Sequence, residues 1–95
     1  MWNMENIKKL IEEINLRKSK NYEQMKIEEI SKEFHNTMEF EQNVLKKINL
    51  FENDHQEPDL IKYARIICRN TIERETSLIQ EAYLKKIDSE YLNLK

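Results

Sequence analysis

Three of the four arginines, Arg65, Arg69 and Arg74, fall within ten residues of one another. On a helix, Lys62, Arg65 and Arg69 sit at i, i+3 and i+7 and project from one face. Such a stripe pairs phosphates or the carboxylates of an acidic partner, because a guanidinium presents a planar fork of donors. Other features limit a nucleic-acid reading. No aromatic residue projects within the stripe to stack on a base. The net charge is −2 and the pI about 5.7, whereas a nucleic-acid-binding domain is typically above about 9. An intrahelical pair such as Arg69–Glu73 would leave the face merely solvated. Nucleic-acid association through Lys62, Arg65, Arg69 and Arg74 is therefore the alternative to a protein partner.

The remaining chemistry-bearing residues are sparse. Glu52 and His55 have the E-x-x-H spacing of di-iron helical bundles. Those sites need a second such motif, and Lys32 stands three residues before the other histidine, His35. His35, His55 and Cys68 are too scattered for a zinc site. Cys68 falls among apolar positions and is expected to be a buried, inert thiol. As the only cysteine, it has no intramolecular disulfide partner. The chain contains no glycine, so phosphate-cradling G-x-G-x-x-G and Walker A loops and the G-x-S-x-G elbow are excluded. The serines have no histidine partner that the sequence identifies. No enzymatic activity, cofactor or metal is expected.

The elements that position these residues follow from the same composition. Average glycine usage is about 7%, and here it is zero with one proline, Pro58. Turns that need positive φ are thereby disfavoured, and the fold class expected is all-α. Met4, Ile7, Leu10/Ile11 and Ile14 recur at helical spacing, predicting a helix over 3–18. Glu5–Lys9 and Glu13–Arg17 are its expected i,i+4 pairs. The apolar-free stretch 17–21 marks a break, with Asn21 and Gln24 as a capping box for the next helix. From there to Phe51 the apolar positions continue. Asn36-Thr37 is a weak point, leaving one helix or two over 21–51. The polar stretch 52–59 is the clear boundary, and Pro58 suits the first position of the following helix. That helix runs to about Leu92, about 52 Å at 1.5 Å per residue. Leu60, Tyr63, Ala64, Ile67, Leu78 and Ala82 lie on one side of it, with Ile61, Cys68, Ile72 and Ile79 as an adjacent strip. This arc is wider than one seam needs, so more than one neighbour is expected.

Residues 1–95 make one domain, expected as an antiparallel helical bundle or long hairpin of three to four segments, the last longest. A chain this short gains from association, since a small domain buries only about 60% of its unfolded surface. The expected function is a non-enzymatic protein–protein interaction module: a small regulator, an inhibitor or immunity-type protein, or a subunit of a larger assembly. Self-association, most simply a dimer, is part of that expectation. The contact surface is placed on the last helix, at Arg65, Arg69, Ile72, Arg74, Leu84 and Tyr91, with Trp2 as an addition. Arginine and aromatic residues favour interface hot spots. Lacking a signal-like start or a transmembrane run, the chain is expected in the cytoplasm of a cell or of an infected host. The run Ala64-Arg65-Ile66-Ile67 with Arg74-Glu75 and Lys85-Lys86-Ile87 resembles the helical domain of GINS-type replication subunits. The chain as a short acidic helical protein also resembles bacteriocin-immunity bundles. No residue role is carried over from either resemblance.

Overall fold

Helix α1, Met4–Leu16, places Ile7, Leu10 and Ile14 on one stripe, and all three are buried. Burying each contributes about 1.5–3 kcal/mol, and a 13-residue helix needs that packing to persist. The computed structural model describes residues 4–54 and 57–92. After Leu16 the polar run 17–21 leaves the helix, and a single 3-10 turn, Tyr22–Gln24, follows. Helix α2 spans Ile27–Asn53 and helix α3 spans Pro58–Ile87, with a π-type turn over Asp88–Leu92. The described residues are helical without strand, and the three helices pack against one another.

Several local expectations are corrected. Asn21 makes no side-chain capping bond; Gln24 N–H instead donates to its carbonyl at 3.3 Å, closing the 3-10 turn. The helix starts five residues later than Tyr22. There Glu29 Oε1 accepts from the Lys26 backbone N–H at 3.2 Å, which satisfies one orphan donor at the start of α2. Through Asn36-Thr37 the helix is continuous: Thr37 is buried, and its hydroxyl is engaged by Arg17 and by Glu75 of α3. Neither Glu5–Lys9 nor Glu13–Arg17 forms; Glu13 pairs with Lys47 of α2 at 3.7 Å, and Arg17 turns inward. Helix α3 runs unbroken past Thr71 and Thr76. Thr76 Oγ1 donates to the Ile72 carbonyl at 2.8 Å, bonding back onto its own helix.

The boundary at 52–59 is where the sequence places it. Pro58 opens α3, and Glu57 before it has φ 46° and ψ 64°. A chain without glycine thus holds an ordinary residue in the left-handed region, at a cost of roughly 1–2 kcal/mol. His55 lies outside the described residues, as does Trp2.

α2 and α3 run antiparallel. Arg65 reaches Asn49 near the connection, Thr37 meets Glu75 midway, and Ile30 and Ile79 pack at the far end. The apolar contacts form two clusters. One joins Ile7, Leu10 and Ile14 to Val44, Ile48 and Phe51 and to Ile61, Ala64, Cys68 and Ile72. The other joins Tyr22 and the half-buried Met25 to Ile30, Ile79 and Ala82. α3 therefore contacts α1, α2 and the 3-10 turn, as its wide apolar arc implied. Tyr63 and Leu78, counted in that arc, are exposed, and Leu60 and Ile67 are half-buried. The described shape is elongated. The radius of gyration is 16.7 Å, against about 12 Å for a compact chain of this length.

Candidate interaction surface

Between the two apolar clusters lies a polar junction that fixes how the helices register. Glu75, in the middle of the buried stripe of α3, is 1% exposed at its side chain. Arg17 Nε, just past the end of α1, donates to both carboxylate oxygens, at 2.7 Å to Oε2 and 3.0 Å to Oε1. Thr37 Oγ1, from α2, donates to Glu75 Oε1 at 3.1 Å and accepts from Arg17 Nη2 at 3.4 Å. The guanidinium also lies 4.2 Å from the centroid of the Phe40 ring, a cation–π contact. One residue from each of the three helical regions therefore meets at a single point. A carboxylate buried to this degree requires such partners, and sliding any helix by a turn would leave it unpaired. Wheel position was the signal available in the sequence, since Glu75 falls among Cys68, Ile72, Ile79 and Ala82. Nothing in the sequence identified Arg17 as its partner.

A second connection ties the segment after α1 to the outer end of α3. Lys85 Nζ lies 2.7 Å from Glu23 Oε1 and 3.4 Å from Glu81 Oε1. The hydrogen bond from Lys85 holds the Glu23 carboxyl below the ordinary carboxylate range. Reciprocally, bonds to Glu23 and then to Glu81 hold the Lys85 ammonium above its ordinary value. Lys20 and Glu33, 2.9 Å apart, add an ion pair to α2. With α1 and this segment lying against α2 and α3, the α2–α3 pair retains an open groove elsewhere.

That groove has a volume of about 530 Å³. Its apolar lining is Ile30 and Phe34 from α2 and Ile79 and Tyr83 from α3; its polar lining is Ser31, His35, Thr76 and Gln80. Phe34 is 43% exposed and Tyr83 38%. None of the lining residues is Asp, Glu, Lys or Arg, in a chain where those types make up 36%. Thr76 is occupied by its own helix. The side chains of Ser31, His35, Gln80 and Tyr83 make no hydrogen bond among the described residues. The groove depends on the register between two helices, which no single-helix pattern reveals.

The residues singled out in the sequence are spread over α3. Ile72 is buried in the core, so it is not part of an accessible surface. Arg65 is engaged: its Nη2 donates to Asn49 Oδ1 at 3.0 Å and lies 3.1 Å from Glu52 Oε1. Lys62, Arg69 and Arg74 are exposed, and Arg69 and Arg74 make no ion pair among the described residues. Five residues apart on a helix, they point roughly 140° away from each other. Leu84 is exposed on α3 outside the groove lining, and Tyr91 is exposed in the π turn that follows α3. These residues do not converge on one site. Cys68 is buried, and burial, followed by the charge of Glu41, pushes its thiol pKa up. No described helix is long and apolar enough to cross a membrane. Comparisons with protein-family models, with curated proteins and with solved structures return no match.

Proposed function

We propose that this chain is a non-enzymatic protein-interaction module, built as a long α2–α3 helical hairpin braced by α1. It acts as a small regulator, inhibitor or assembly subunit. The observation that carries the reading is the uncharged, partly apolar groove between α2 and α3, with Phe34 and Tyr83 exposed on it. Interface centres are depleted in charge and enriched in aromatic residues, and this groove has both properties on a surface otherwise rich in charge. The polar junction at Glu75 supports the same reading, because it holds the two helices in the register that forms the groove.

The test is a quantitative comparison between the intact chain and the double variant Phe34→Ser/Tyr83→Ser, both immobilised and exposed to extract from the native source. The proposal expects a partner, or the chain itself, to bind saturably to the first and at least about tenfold more weakly to the second, roughly 1.4 kcal/mol. Binding that is equal for both, or confined to nucleic acid and lost steeply with salt, would refute it.

A further inference from the structure

The N-terminal segment is held differently from the hairpin it braces. Four ion pairs join residues 4–25 to α2 and α3: Glu13–Lys47 at 3.7 Å, Arg17–Glu75 at 2.7 Å, Lys20–Glu33 at 2.9 Å and Glu23–Lys85 at 2.7 Å. Among the described residues, α2 and α3 share only the pair Arg65–Glu52 with each other, and they are joined instead by the most extensive contact in the fold. We propose that residues 4–25 form a salt-sensitive strap that opens as one unit, leaving the α2–α3 hairpin folded and uncovering its buried side.

Helix α1 depends on being docked. It has 13 residues, and its last turn carries Glu13 and no base, the wrong sign for the partial charge at a helix C-terminus. Glu13 and Arg17 spend their charges on the hairpin instead of on each other. A helix this short does not persist without its packing, so undocking and unwinding go together. The pivot is Met25-Lys26, two extended residues (ψ 154° and 159°) between the 3-10 turn and α2.

The ties suit release. Three of the four pairs have at least one exposed partner, and such pairs are weak and screened by salt. Arg17–Glu75 is buried, but opening hydrates both charges together and so recovers their desolvation cost. Removing one partner strands a buried charge; lifting the whole strap does not. The pair therefore positions the strap more than it strengthens it.

Opening uncovers the residues packed with Ile7, Leu10 and Ile14, among them Val44, Ile48 and Phe51. It also frees Ile30 and Ile79 from Tyr22. Those two already line the groove, so the open hairpin presents one continuous apolar face, while the closed one presents the groove alone. That regulatory consequence rests on the interaction-module reading; the opening itself does not.

The experiment is amide hydrogen exchange on the full chain, read residue by residue by NMR without any partner. Leu10, Ile11 and Ile14 are expected to exchange at least about tenfold faster than Val44, Ile48, Ala64 and Cys68, as a unit that opens below the global unfolding free energy. Raising NaCl from about 0.1 to 1 M shortens the Debye length from about 10 to 3 Å. Strap exchange should then quicken at least about threefold, with the hairpin within about twofold of its starting rate. Lys20→Glu, which sets a like charge against Glu33, should quicken exchange at Leu10, Ile11 and Ile14 by at least about threefold. The swap Lys20→Glu/Glu33→Lys should bring it back within about twofold. Circular dichroism checks helicity; should Lys20→Glu lower it, Lys47→Gln removes the Glu13 pair and the same acceleration is expected. Equal protection of strap and hairpin overturns the proposal, as does exchange indifferent to salt. So does an acceleration by Lys20→Glu that stays beyond Leu16, spreads equally into the hairpin or survives the swap. A strap that opens on a chain whose Phe34 and Tyr83 bind nothing refutes the interaction module alone. A strap that stays shut while that face binds a partner overturns the strap alone.

Discussion

Replacing Arg17 by methionine should destabilise the chain more than any conservative change at Glu75. Arg17→Met leaves the Glu75 carboxylate, 1% exposed, with only the Thr37 hydroxyl at 3.1 Å among its present donors. Removing one partner of a buried ion pair costs about 3–5 kcal/mol, because a charge stays desolvated without compensation. Loss of the stacking on Phe40 adds about 0.5–2 kcal/mol. Glu75→Gln is a milder change. The amide oxygen still accepts from Thr37, and the Arg17 side chain, 25% exposed, can turn to water. Its cost is about 1–2 kcal/mol. The double variant Arg17→Met/Glu75→Met replaces the pair with apolar groups, which is often neutral or stabilising. It should therefore be more stable than Arg17→Met alone by at least about 2 kcal/mol, a coupling that separate sites would not show. Urea denaturation followed by circular dichroism reads wild type, these three variants and the single Glu75→Met that closes the cycle. For a domain of this size, 1 kcal/mol corresponds to roughly 4–8 °C in Tm, so Arg17→Met should melt well over ten degrees below wild type. Equal losses from Arg17→Met and Glu75→Gln, or a double variant whose loss is the sum of the two single methionine losses, would refute the junction as described.

Three further outcomes are expected. Glu57→Gly should stabilise the chain by about 0.5–1 kcal/mol, by releasing the left-handed backbone at φ 46° at a partial cost in unfolded-state entropy; unchanged or lower stability in urea would contradict it. The Lys85–Glu23 pair should contribute its full effect above the unfolded carboxylate pKa of about 4.3 and below the unfolded lysine pKa of about 10.4. Glu23 is held low and Lys85 high. Its contribution should fade as pH falls through the lowered Glu23 pKa, and as pH rises through the raised Lys85 pKa. Both groups are exposed, so the difference between Lys85→Gln and wild type should vanish near 1 M salt, where the Debye length is about 3 Å; a salt-independent difference would count against the pair. Cys68, buried and with its thiol pKa raised, should resist maleimide in the folded protein and react once urea unfolds it, read by intact mass. Stoichiometric labelling of the folded chain would place it at the surface.

What was legible in the sequence was the part set by local spacing. Ile7, Leu10 and Ile14 announce α1, Pro58 announces the start of α3, and the lack of glycine announces an all-helical chain. What was not legible depends on which helix meets which. Arg17 reads as part of a solvated polar run because its partner stands 58 residues away. Asn21 reads as a cap because its residue type suits one, yet the chain needed a turn there to bring Tyr22 onto Ile79 and Ala82. Ile72 reads as a hot spot because it adjoins the arginines, and α1 and α2 bury it instead. The groove arises where Ile30 and Phe34 stand opposite Ile79 and Tyr83, a register set by the Glu75 junction and carried by no motif.

The most direct measurement of the interaction surface is a concentration series of amide NMR spectra on the labelled full chain, from about 10 µM to 1 mM, spanning millimolar to micromolar affinities. An interaction surface on the α2–α3 face predicts shifts, with concentration or on addition of the partner captured from native extract, centred on Ser31, Phe34, His35, Gln80 and Tyr83, with Ile7, Leu10 and Ile14 of α1 unmoved. Spectra that change neither with concentration nor on addition of that partner, or shifts centred on Arg69, Leu84 and Tyr91, would contradict it.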